Sequence, residues 1–259
     1  MKISSSFAKT LAVAGFVGVA AATAQAQTIS WNMDRYGFVL APGNNGGLPV
    51  PNTTAGAPGY VAANWNSAWN EGVSSSTAAT VNNLWDSSGA NSGASITYSC
   101  DDLWQIQSSS RPANDADGTY NMQMLNGYLD NNSSIAISSI PYSSYEIIVY
   151  FSGDTAGRVR TVSDGSTTYD FTGMGSAAIS GANALFTQTT DTTGANPTAD
   201  YAIFTGLSGT SQTITSTGAA GSGGISGFQI VAVPEPSSMA LAVVGGFGVL
   251  LMNRRFKKS

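Results

Sequence analysis

The stretch SIAISSIPYSSYEIIVYF, residues 134–151, decides the fold. In SIAISSI, Ser134 to Ile140, apolar and polar residues alternate, which is the period of a strand with one face on a core and one in water. In YEIIVYF, Tyr145 to Phe151, both sets of alternate positions are apolar, so this segment predicts a central strand. Similar signals follow at short intervals. GASITYS precedes the stretch, RVRTV and TTYDF flank an Asp164-Gly165 turn as a hairpin, and ALFTQTT, DYAIFTGL, QTITST and GISGFQIVA come after it. About eight strands with even spacing from residue 95 onward predict an all-β body, an antiparallel β-sandwich or jelly roll.

The first part of the body is less regular. Ala41 to Gly59 is a Gly-, Pro- and Asn-rich loop, and YNMQMLNGYL, Tyr120 to Leu129, carries a short helix pattern. Composition agrees with a β body. The 259 residues include 30 glycines, only 10% are charged, and 42% are hydrophobic, enough to fill a core. Between Gln27 and Ala232 four arginines stand against 14 acids, a net charge of −10, and lysine is absent. Such a surface repels phosphate backbones and excludes nucleic acid as a partner. The single cysteine, Cys100, permits no internal disulfide and reads as a small core residue.

Both ends read as addresses. Lys2 and Lys9, the apolar run Leu11 to Ala22, and the small-x-small pattern of Ala24 and Ala26 make residues 1–26 a secretory signal, cleaved before Gln27. Residues 27–232 then form the β-sandwich ectodomain, and residues 233–259 a second signal. There, Pro234-Glu235-Pro236 ends any regular structure, because each proline fixes φ and removes a donor. Met239 to Met252 is uncharged and predicts a single short transmembrane helix of about 21 Å. That is less than the roughly 30 Å of a hydrocarbon core. Arg254, Arg255, Lys257 and Lys258 stay cytoplasmic, which leaves the body outside the inner membrane.

The three C-terminal parts, the box Val233, Pro234, Glu235, Pro236 with its two serines, the Gly-containing apolar helix and the basic tail, resemble the PEP-CTERM sorting signal of exopolysaccharide-producing Gram-negative bacteria. The resemblance implies recognition by an exosortase, passage through a membrane-anchored state at the inner membrane, and removal of the tail near the box. The body likewise resembles the jelly-roll or galactose-binding-like ectodomains that precede this signal, through VAANWN, LNGYLD, the strand pair of residues 134–151, DGSTTYDF and GISGFQIV.

Chemistry is bounded mainly by absences. With no histidine, Ser-His-Asp and Cys-His catalysis and HExxH zinc sites are excluded. Without lysine in the body, Schiff-base and Ser-Lys chemistry go too. Carboxylate catalysis of a glycosidase type stays open, but no spacing singles out a pair among Glu71, Asp101, Asp102, Asp115, Asp117 and Glu146. Asp115 and Asp117 before Gly118 offer a speculative calcium loop, although Met124 stands where a closing Glu is needed. All five tryptophans fall early, and Trp65, Trp69 and Trp104 are candidates for stacking on a sugar ring. The expectation is a non-enzymatic, exported surface or matrix protein with a structural or adhesive role in exopolysaccharide or biofilm. A carbohydrate-binding module with a tryptophan-lined site is the alternative, and a carboxylate glycosidase the third reading.

Overall fold

The computed structural model describes residues 27–33, 54–68, 73, 75–107, 115–218 and 223–234. The strands are β1 (Thr28–Asn32), β2 (Thr54–Ala55), β3 (Ala62–Ala63), β4 (Asn66–Ser67), β5 (Ala78–Val81), β6 (Ser95–Gln105), β7 (Gly127–Ser138), β8 (Ser144–Ser152), β9 (Val159–Ser163), β10 (Thr168–Gly173), β11 (Thr198–Ala199), β12 (Tyr201–Ser208), β13 (Ser211–Gly218) and β14 (Gly224–Ala232). Among the described residues the helical pieces are the helix α1 (Asn121–Met124) and a 3-10 turn at Gly175–Ile179. The all-β class is as expected.

Twelve strands form one continuous sheet with two limbs. One limb runs β12-β8-β14-β1-β4, the other β11-β10-β9-β13-β7-β6-β5. They are joined where β14 pairs with β7 at Gly224↔Asp130 and Ile225↔Leu129. From Gly227 onward the same edge of β14 belongs to β1 instead. The expectation of a purely antiparallel sheet is corrected at two places, because β1–β4 and β10–β11 are parallel. Both are two-residue pairings, made where a long connection returns to an edge; a tight hairpin cannot supply that direction.

The inner faces of the two limbs share one core. Trp31 of β1 lies 5.5 Å from Tyr98 of β6, and Phe151 of β8 stacks on Phe171 of β10 at 3.7 Å, centroid to centroid. Tyr169 of β10 meets Phe204 of β12 at 5.1 Å. The other face of the β8 limb is also covered. Ile148 and Tyr150 of β8 pack there with Trp65, Met122, Leu125 and Ile179, from the β2–β3 segment, α1 and the 3-10 turn. Covering on both sides explains why YEIIVYF has no polar face: Ile147, Val149 and Phe151 enter the first core, Ile148 and Tyr150 the second. In the other limb the described residues cover only one face, and SIAIS alternates accordingly.

The β9–β10 hairpin turns at Asp164–Thr167, where Asp164 Oδ1 accepts from the N–H groups of Ser166 and Thr167. The short helix falls within the expected residues. ALFTQTT does not become a strand. Its N–H groups are taken elsewhere, Leu185 donating to Ala178 O and Thr187 to the Asp200 carboxylate, leaving a single bridge between Gln188 and Tyr201. β1, directly after residue 26, was hidden because it is buried on both faces and only five residues long. No helix among the described residues is long and apolar enough to cross a membrane, and the segment expected to do so, residues 239–252, lies outside them.

Candidate functional site

Strand β6 builds the site. Before residue 100, Ile96 and Tyr98 point into the core; after it, Leu103 does. The change of parity comes at a bulge between Cys100 and Asp102, where two residues of β7, Asn131 and Asn132, stand against the single Asp101 of β6. A bulge inserts one residue on one strand and so re-aims every side chain that follows it. Here it turns Asp102 and Trp104 to the outer face, where an unbroken alternation would have driven Trp104 into the core.

Trp104 is 45% exposed. Its indole N–H donates to Asp154 Oδ2 at 3.1 Å, so the ring is held at its edge while a face stays open. Asp154 is itself placed by its own backbone N–H, which donates to the hydroxyl of Tyr128, the residue opposite Trp104 in the β6–β7 ladder. Burial, with the charges of Asp154 and Asp130, pushes the Tyr128 phenol far above its usual range, so it stays protonated. Beside the bulge lies an open hollow of about 370 Å³ lined by Ser99, Cys100, Asp101, Asn132, Ser134 and Thr215 among others. Asn132 donates to Asp101 Oδ2 from its side chain at 2.9 Å. Burial, then Asp102, Asp101 and Asp130, raise the Cys100 thiol to about 12, which leaves it unreactive at neutral pH.

The hollow continues into a face of hydroxyls. Ser99, Ser134, Thr215 and Ser163 stand opposite one another across β6, β7, β13 and β9. Thr80 with Thr97, and Thr161 with Thr217, bring their hydroxyl oxygens to 2.9 Å. A second hollow of about 310 Å³ lies on the β8 limb, lined by Thr28, Thr54, Tyr60, Ser87 and Val231 among others. Neither hollow is lined by two carboxylates.

The other candidates fare differently. Trp65 is fully buried and its indole N–H donates to the carbonyls of Ala55 and Ala62, so it offers no face to a sugar. The neighbouring Asn66 also serves the fold, its side-chain amide donating to Ser30 O and Trp85 O. Trp69 lies outside the described residues. Asp115 spends its carboxylate on the backbone N–H groups of Met122 and Ala184. Asp117 accepts from Thr119 N and Oγ1, bonds that hold its carboxyl below the usual range. The Asp117 bonds are those of an Asx-type turn, while Asp115 ties the loop to α1 and to the segment after the 3-10 turn. Among the described residues no three His, Cys, Asp or Glu side chains gather as a metal site requires.

Sequence reasoning missed Asp154 and Tyr128, which stand 50 and 24 residues from Trp104 and carry no local signal. It also missed Arg160, 2% exposed, whose guanidinium donates to Asn131 O. A signal existed there, since in RVRTV Arg160 shares the parity of the core residue Val162.

The C-terminal end of the body is the other functional element. Ala232 N–H donates to Gln27 O at 2.9 Å, and Val233 N–H to Ser144 O at 3.0 Å. Pro234 has no N–H, so the ladder stops there. The body is therefore a closed β unit whose last strand runs directly into a C-terminal signal. The family model of the PEP-CTERM protein-sorting motif matches residues 232–255, and in that sense the chain is a PEP-CTERM protein. Comparison with curated proteins and with solved structures gave no match. The motif marks an exosortase-sorted, exported protein whose C-terminus is anchored in the membrane before processing. Glu235, Pro236, the tail Arg254, Arg255, Lys257 and Lys258, and the cleavage residues Ala24 and Ala26 lie outside the described residues.

Proposed function

We propose that this protein is a non-enzymatic component of the extracellular surface or matrix, with a structural or adhesive role in association with exopolysaccharide. The sandwich-like body is the working part and the sorting motif its means of delivery. The observation that carries this reading is the outer hydroxyl face of the β13 limb. A surface of Ser and Thr without lysine or arginine, on a body of strong net negative charge, suits contact with a hydroxyl-rich polymer and resists self-association.

The experiment is cell fractionation. The protein is expected with the polysaccharide fraction of wild-type cells, and in the soluble medium of cells that make no exopolysaccharide. Equal distribution in both strains would refute the association. The second reading, a glycan-specific binding module, is favoured by Trp104 and its tie to Asp154. A hydrolase is disfavoured because the carboxylates with described bonds at Asp101, Asp115, Asp154 and Asp164 are engaged with donors of the fold, and neither hollow sets two acids across a gap.

A further inference from the structure

The bulge between β6 and β7 places two features on one stretch of surface. Trp104 presents an open ring face, immobilised at its edge by Asp154. The hollow lined by Ser99, Asp101, Asn132, Ser134 and Thr215 begins within a few residues of it on the same outer face. From Ser99 to Trp104 the span is about 16 Å at roughly 3.3 Å per residue. Hydroxyls, an amide and the Asp101 carboxylate thus line one end of a track and an aromatic platform closes the other. An aromatic ring that is already fixed costs little ordering on binding, and it offers area to an apolar face while its neighbours take hydroxyls.

The charges near the track narrow the ligand. Asp101 and Asp102 are exposed on the bulge, Asp154 is half-buried beside the indole, and Asp130 stands opposite Asp102. The neighbouring cation, Arg160, is buried. A polymer bearing carboxylates or sulfates would meet this cluster at close range and be repelled.

The track also has a place in the molecule. Trp104 pairs with Tyr128, next to the residues of β7 that pair with the start of β14. The body's exit, Val233, and the neighbouring Gln27 lie at the other end of β14, about 26 Å away at roughly 3.3 Å per residue. The surface with Trp104 is therefore displaced from the membrane-held end of the chain.

The geometry points to an uncharged glycan chain lying along the outer face of β6, stacked on Trp104 and hydrogen-bonded in the hollow of Ser99, Asn132 and Thr215. This rests on the association with polysaccharide proposed above and assigns the contact to one site and one charge class. The test is calorimetric titration of the exported, full-length mature protein with a neutral glucan hexaose and with a hexagalacturonate. The neutral oligomer binds and the acidic one does not. Trp104→Ala weakens the neutral oligomer about tenfold or more, as removal of a central aromatic anchor does. Asp102→Asn, which still accepts from Leu103 N–H, leaves neutral binding intact and raises affinity for the acidic oligomer. Equal binding by Trp104→Ala, tighter binding of the acidic oligomer by the unaltered protein, or no binding of the neutral one each overturns the site. The fractionation experiment above is independent of all three, so the matrix association can stand when this site falls.

Discussion

Asp200 is 1% exposed, and of its two carboxylate oxygens Oδ1 accepts from Thr187 N–H while Oδ2 has no partner. Burial, partly offset by the bonds from Thr187 and its own N–H, raises its pKa from 3.8 to about 7. The folded state therefore holds a proton that the unfolded chain releases near pH 4. The resulting stabilisation is fully present below about pH 4 and is lost as pH rises through about 7. Thermal melts should show the wild-type Tm falling from pH 5 to pH 8 more steeply than that of Asp200→Asn. Parallel pH profiles would contradict this assignment. Tyr150 is the second residue whose polar atom matters. Its hydroxyl donates to Gln229 Oε1 and accepts from Ala57 N–H, while Gln229 Nε2 donates to Ser30 Oγ and Tyr60 O. Tyr150→Phe strands two buried groups and should cost about 1–3 kcal/mol in urea denaturation. A loss within a few tenths would show that the network does not fasten the β2–β3 segment to the sheet.

Two small features of the strands set the architecture. Gly224 opens β14 where the limbs join, and a Cβ there would overlap the backbone carbonyl oxygen of Leu129. Gly224→Ala must push β14 from β7, and should lower Tm far more than Ala at the open Gly165 turn, which has only its φ of +90° against it. The bulge is the other feature. The extra residue of the bulge is on β7, where Asn131 and Asn132 stand against Asp101 alone. Deleting Asn131 restores simple alternation, drives Trp104 inward and Leu103 out, and should both lower Tm and abolish glycan binding. A deletion variant of unchanged stability would mean that the bulge does not set the facing of Trp104. These features explain what the sequence revealed and what it hid. Alternation in SIAIS and the two-sided apolar pattern of YEIIVYF were readable, because burial on one face or two leaves its mark on every residue of a strand. The bulge was not, since its extra residue lies on β7, where Asn131 takes a positive φ that asparagine tolerates but does not demand. Trp65 was misjudged as a site for the same kind of reason: the hairpin of β2 and β3 that covers it pairs through two residues per strand, too few to leave a period. The Trp104–Asp154 pair is a tertiary contact 50 residues apart, beyond any local pattern.

At the scale of the molecule, the body is closed by its own ends. Gln27 accepts from Ala232, and Val233 donates to Ser144, so the first and last residues of the described body lie side by side. Pro234, at the start of the sorting box, has no N–H to offer the sheet, so the ladder ends before it. The account predicts that a body held at this end is released as a folded unit once the signal is removed, because every described strand of the sheet precedes the box. Intact-mass analysis of the protein recovered from outside the producing cell tests this most directly. The predicted mass starts at Gln27 and ends near Pro236, without the apolar segment and its basic tail. A recovered protein that uniformly retains residues 254–259 would contradict it.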